Sequence, residues 1–232
     1  MNGKTTKNTV ESIYDQILAA IFERKLLPGT RLKEEELSEV FGTGRGGIRK
    51  VLQQLAHENL VETIPNSGSF IAKPTIKESK EVFQARLLIE TELVKELALQ
   101  FTPDKRAALE EHLAREQSAH DEGNHGLRIR LSGEYHLLIG KLADKPVLTE
   151  FLRGIISRTS LIIALYERQK SNDGLVGTPP CRDHRALIKA LDEGAADKAV
   201  TLMRDHLLDI QNMLNLDPPP EESINLKNIF SN

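Results

Sequence analysis

The sequence predicts a mainly α-helical protein: an N-terminal winged helix-turn-helix of three helices plus a β-hairpin, then an all-helical bundle of about six helices. Three observations carry this. Apolar residues recur at helical spacing along most of the chain. The spacing changes to a period of two once, between Leu60 and Lys73. Aromatics are 4% of residues and Trp is absent, so aliphatic side chains must build the core, and Leu and Ala run together with Glu, Lys and Arg.

The elements follow in order. Thr9 to Lys25 reads as an amphipathic helix with Val10, Ile13, Ile17, Leu18 and Ile21 on one stripe. Pro28-Gly29 marks a turn. KEEELSEVF is a short helix with Leu37, Val40 and Phe41 inward, punctuated by Gly42-Thr43. Ile48 to Asn59 is helical again, with Ile48, Val51, Leu52 and Leu55 on one face. LVETI and SFIAK are strands joined by the turn PNSG. Residues 1–74 make this first domain, 75–78 a linker, and 79–215 the bundle. The bundle helices run from Thr75 or Ser79 to Gln100, from the Thr102-Pro103 cap to Glu122, from Leu127 to Ala143, from Pro146 to Gln169, from Arg182 to Asp192 and from Ala195 to Leu214. Residues 216–232 read as a polar, partly disordered tail.

The net charge of −3 does not mark the whole chain as a nucleic-acid binder. Charge is uneven, however. Residues 1–73 carry ten Lys/Arg against nine Asp/Glu, a net of +1, and the remainder carries 21 against 25, a net of −4, which permits a local basic surface near the N-terminus. Cys181 is the only cysteine, which excludes an intramolecular disulfide and a thiolate zinc cluster. The opening MNGKTTKNTVES lacks the apolar core of a signal peptide, and no apolar run approaches the ~18 residues of a membrane span. The expectation is a cytoplasmic protein without a membrane partner.

Gly42, Gly44 and Gly47 in GTGRGGIRK match G-x-G-x-x-G, and Glu62 stands where a ribose-binding carboxylate belongs. A dinucleotide loop needs a hydrophobic strand before it, and KEEELSEVF has the spacing of a helix. A plain turn between helices remains one reading. The other is the turn and first turn of a recognition helix. Arg45 and Arg49 are four apart, hence on one helical face, with Lys50 beside them. Arginine matches the O6/N7 edge of guanine, and a helix N-terminus favours phosphate.

The stretch LLPGTRLKEEELSEVFGTGRGGIRKVLQQLAHENLVETIPNSGSFIA resembles GntR-family transcription regulators. Pro28, Gly29, Leu32, Glu34, Leu37, Arg45, Arg49, Leu52, Leu55, Leu60, Val61, Gly68 and Ile71 match the family pattern. The resemblance implies DNA contact by Arg45, Arg49 and the wing-tip region of Gly68, with Thr43, Gly44 and Lys50 as further DNA-facing candidates. Gly44 stands where the family usually has Ser and Gly47 where it usually has Pro. Gly44, Gly46 and Gly47 should fray the first turn of the helix.

VFQARLLIETELVKELA, RLSGEYHLLIGKLADKPVL and DHRALIKALDEGAADKAVTLMRDHL resemble the effector (FCD-type) domain of the FadR subfamily. In the metal-holding branch an Asp and three His bind a divalent ion. The resemblance implies His136, His184 and His206 as ligands for Zn or Ni, with Ser132 at the usual Asp position. Glu134 is two residues from His136, on another face, and is a poor substitute. The alternative is that these histidines are core or surface residues around a metal-free pocket. His57, His112, His120 and His125 read as surface residues, and Tyr135 as core. By the same resemblance Arg86, with Arg158 as a second candidate, faces a carboxylate effector; the alternative for Arg86 is an ordinary ion pair with Glu90 at i+4.

The function implied is a DNA-binding regulator, a repressor of a metabolic operon, acting as a homodimer on double-stranded operator DNA and controlled by a small carboxylate. The competing reading is a DNA-binding dimer whose bundle lacks metal and senses no small molecule. An enzyme is not expected, because no general base or nucleophile accompanies the histidines.

Overall fold

The computed structural model describes residues 9–166, 180–214 and 226–230. It divides into two compact units, Met1–Lys73 together with Pro218–Asn232, and Pro74–Asp217.

The first unit begins with α1 (Val10–Phe22), started by the Thr9 side chain accepting from the Ser12 amide. α2 (Glu34–Phe41) ends at Gly42, whose left-handed backbone (φ 59°) is a conformation that favours glycine. α3 (Arg45–His57) follows after the three residues Gly42, Thr43 and Gly44. Ile13, Ile17, Ile21, Leu37, Ile48 and Leu55 are fully buried and form the centre of this unit. β1 (Arg31–Leu32), β2 (Val61–Ile64) and β3 (Gly68–Ile71) make an antiparallel sheet in the order β1-β3-β2. β1 was not foreseen, because two residues are too short to show a period; it pairs Arg31 with Phe70 and Leu32 with Ser69.

α3 starts at Arg45 rather than Ile48, so Gly46 and Gly47 lie inside its first turn. Gly47 N and Ile48 N both donate to Gly44 O, at 2.9 and 3.4 Å. The three glycines therefore do not keep this turn from closing.

The second unit holds α4 (Ile76–Ala98), α5 (Pro103–Asp121), α6 (His125–Leu142), α7 (Pro146–Tyr166), α8 (Pro180–Asp192) and α9 (Ala196–Met213). Thr75 caps α4 through the Glu78 amide, so the helix begins inside the expected linker. Thr102 caps α5, with Pro103 in its first turn as the sequence predicted. Residues 167–169, the expected end of α7, lie outside the described residues. α6 and α7 approach closely because glycine faces the contact. A Cβ on Gly140 would stand 2.5 Å from Thr149 Oγ1, and one on Gly133 2.9 Å from Ile156.

Most of the expected polar tail lies outside the described residues. Leu226–Phe230 forms a short helix, α10, packed on α2. Among the described residues no helix is long and apolar enough to cross a membrane.

Candidate metal centre and nucleic-acid interface

Three bundle helices bring three imidazoles together. His136 on α6, His184 on α8 and His206 on α9 offer one ligand atom each, all within 4.8 Å of one another. The three residues are 2%, 1% and 5% exposed, too little for water to account for their polar atoms. The His136 and His184 rings meet edge to face, and those of His136 and His206 stack at 5.4 Å. Tyr135 is fully buried core, as expected, and lies flat on His184 with ring centroids 3.9 Å apart.

Each ring has a carboxylate at Nδ1. Glu116 of α5 lies 2.7 Å from His184 Nδ1, Asp183 lies 3.1 Å from His206 Nδ1, and Glu90 of α4 lies 2.5 Å from His136 Nδ1. The first two are aligned hydrogen bonds. The third is a close contact without that alignment. Nε2 of all three rings is buried and has no hydrogen-bond partner. Buried polar atoms are normally satisfied, and three orphans in one cluster need an explanation. Carboxylates behind imidazoles fix the tautomer and leave the far nitrogen to a metal. The donor set fits one divalent ion with positions left open.

The electrostatics agree. Burial, outweighing the pull of Glu90, holds His136 down to about 3, and burial likewise lowers His206 despite Asp183. Neutral imidazoles are the form that binds metal. Burial works to raise Glu90, but the Arg86 guanidinium and His136 outweigh it and hold the carboxyl at about 2. Burial pushes the Cys181 thiol up to about 11, which keeps it out of thiolate chemistry.

Arg86 is 2% exposed and donates Nε to Glu90 at 2.5 Å, so the ion pair foreseen as an alternative is present. Its Nη2 is nevertheless buried without a partner. Ser132 is half-buried on α6, four residues before His136, and brings no carboxylate to the cluster. Glu134 pairs outward with Arg130, in keeping with its being a poor ligand. Arg158 is 42% exposed and lies 3.6 Å from Glu78, unlike the enclosed Arg86. His112 is a correction: it is 7% exposed, with Nε2 2.8 Å from Leu131 O, because α5 turns it onto α6. His57 is exposed as expected, and His120 and His125 are half-buried.

The carboxylate shell was the part that sequence reasoning missed. Asp183 adjoins His184, and Glu90 was visible only as a partner for Arg86. Glu116 had no local signal, since its meaning comes from α5 packing on α8.

In the first unit Arg45 and Arg49 stand exposed on α3, and each is held by a glutamate of α2. Arg45 Nη2 lies 2.7 Å from Glu35 Oε1, and Arg49 donates Nε and Nη2 to Glu34 at 3.2 and 2.9 Å. The Arg49 hydrogen bond also holds the Glu34 carboxyl below its ordinary value. Gly44 is the N-cap of α3 and supplies no side-chain cap. Thr43 takes part in the turn: the Ser38 hydroxyl donates to Thr43 O, and a Cβ on Gly47 would meet Thr43 Oγ1 at 3.1 Å. Lys50 is exposed next to Arg49. Gly68 opens β3 at φ 108°, a conformation side chains resist, after the turn closed by Ser67 N to Ile64 O. Because Gly42 ends a helix and not a strand, the G-x-G-x-x-G spacing here is not a dinucleotide loop.

Comparison with known proteins agrees with both halves. Residues 9–71 match the family model "Bacterial regulatory proteins, gntR family", and residues 81–209 match the FCD domain. The HTH-type transcriptional repressor RspR of Escherichia coli (strain K12) is 24% identical over 208 residues, which is 88% of each chain. Among solved structures, a GntR transcriptional regulator from Rhodococcus sp. RHA1 superposes with a TM-score of 0.71 at 20% identity, covering 88% of this chain and 95% of that one. The E. coli McbR/YncC structure gives 0.69 at 20% identity, covering 86% and 93%. At that identity the likeness speaks for the fold.

Proposed function

This chain belongs to the GntR family of bacterial regulatory proteins and is a DNA-binding transcriptional regulator with an FCD domain; from that premise we propose that it represses a metabolic operon under control of a small carboxylate, sensed in a metal-holding bundle. The observation that carries the sensing half is the set of three buried Nε2 atoms without partners. His136, His184 and His206 would hold the ion, with Zn or Ni suited to neutral imidazoles. The ion would supply positive charge and open positions for an anionic oxygen. Arg86 Nη2, buried and unpartnered, is the natural second donor to a carboxylate. Ser132 in place of an acid leaves the site with one negative ligand fewer. The repressor reading is carried over from RspR.

The chain acts in the cytoplasm as a homodimer that sets two copies of α3 in successive major grooves of operator DNA. Leu88 on α4, and Val147 and Phe151 on α7, are 77%, 68% and 67% exposed on helices that pack together, which supports pairing through the bundle. Arg45 and Arg49 read guanine or phosphate, with Thr43, Gly44, Lys50 and Gly68 against the backbone. Effector binding favours one arrangement of the DNA-binding units over another.

Elemental analysis of protein purified without a histidine tag tests the metal, with a thermal-shift screen of small carboxylates for the effector. Metal that persists in the His184→Ala/His206→Ala double variant would place it elsewhere. For the DNA half, Arg45→Ala and Arg49→Ala should each weaken operator binding by about 10-fold to 100-fold in gel shifts. Unchanged affinity in both would remove these arginines from the interface.

A further inference from the structure

α10 follows α9 in sequence but belongs to the first unit, where it packs on α2. One buried side chain and two contacts seat it. Leu226 is 1% exposed. The Phe230 ring lies 5.0 Å from that of Phe41, tilted by 49°. Lys227 Nζ lies 2.7 Å from Glu39 Oε2, and that hydrogen bond lowers the Glu39 carboxyl and raises the Lys227 ammonium. A helix of 5 residues is too short to persist in water by itself, so its conformation depends on the surface beneath it. That surface is well placed. Phe41 is the last residue of α2, and Gly42 to Gly44 then turn the chain into Arg45 of α3.

We propose that α10 is an intrachain strap: it occupies the outer face of α2, fixes the turn that aims α3, and makes full operator affinity depend on the C-terminus. The segment supplies what a strap on this face needs, two apolar anchors at Leu226 and Phe230 and a cation opposite Glu39. The charge pair is exposed and gives register more than strength; the apolar contacts carry the holding force.

The test compares the full chain, Phe230→Ala, Phe230→Leu and a chain ended after Asp217. Two quantities are read: amide exchange over residues 38–48, and affinity for a DNA fragment that the full chain selects from a random library. Metal content and the melting of the bundle serve as the check that each variant folds. Phe230→Ala and the shortened chain should exchange faster over 38–48 and lose about tenfold in affinity, as when a tenth of the molecules hold the competent turn. Phe230→Leu keeps an apolar anchor and should stay close to the full chain. Exchange and affinity that are unchanged in both Phe230→Ala and the shortened chain overturn the strap. A rise in affinity in either also overturns it, because α10 would then be covering the interface and not supporting it.

Discussion

Glu116 Oε2 and His184 Nδ1 are 2.7 Å apart, and both side chains are shut away from solvent. A carboxylate accepts, so this pairing favours the tautomer with the proton on Nδ1, which leaves Nε2 its lone pair. Glu116→Gln preserves shape but can present an NH2 to the ring, which loosens that choice of tautomer. It should lower zinc affinity by about 10-fold to 100-fold, measured by competition with a chromogenic chelator. His184→Ala should lose tight zinc binding altogether. Equal affinities in wild type and Glu116→Gln would mean that this carboxylate does not serve a metal.

Acid should unfold the metal-free protein earlier than its surface would suggest. His136 is held at about 3 and His206 is lowered, chiefly by burial, whereas an unfolded imidazole titrates near ~6.5. Below that value the unfolded chain takes up protons that the folded chain refuses, so their contribution is complete above about pH 6.5 and is lost as pH falls toward about 3. Glu90, held at about 2 by Arg86 and His136 against its own burial, acts in the same direction at lower pH. Its contribution is present above the ordinary carboxylate value and fades as pH drops through about 2. Urea midpoints of the metal-free chain should therefore be lower at about pH 5 than at about pH 7.5. A flat midpoint would count against neutral buried imidazoles.

The glycines divide by what a methyl group would meet. Gly46 has open space around its missing Cβ and sits inside α3, so Gly46→Ala should add about 0.4–1 kcal/mol of stability. Gly44 is an N-cap without a side-chain bond, and Gly44→Ser should add a few tenths. Gly140→Ala is the opposite case. Its Cβ would stand 2.5 Å from Thr149 Oγ1, forcing α7 away from α6 at a loss of about 1–3 kcal/mol. Thermal melts of the three variants check the signs, and a neutral Gly140→Ala would show that the helix contact is looser than described.

The helices of both units were legible because burial imposes a period on the sequence; α1, for example, buries Ile13, Ile17 and Ile21 along one stripe. The three histidines were legible through resemblance, and their convergence at one point is a property of the packed bundle. Glu116 could not be read. An acid on a helix looks the same in sequence whether it meets water or an imidazole on another helix. β1 was too short to announce itself, and α10 sits in a segment whose Pro and Glu content reads as tail. His112 reads as surface in the sequence because it is one polar residue among many in α5, and nothing local says which neighbour covers it.

Glu34 and Glu35 already hold Arg49 and Arg45, the two cations proposed to receive operator DNA. On the proposed function, a duplex would have to displace these carboxylates before its phosphates gained an arginine, so contact with random sequence would exchange one anion for another. The usual release of counterions from DNA is then partly cancelled, and the fall of affinity with salt should be shallower than the number of phosphates contacted implies. A guanine edge that engages both prongs of an arginine offers more than the glutamate does. On that proposal the acidic residues at the start of α2 would act as a built-in competitor, one that shortens the protein's stay on the rest of the chromosome.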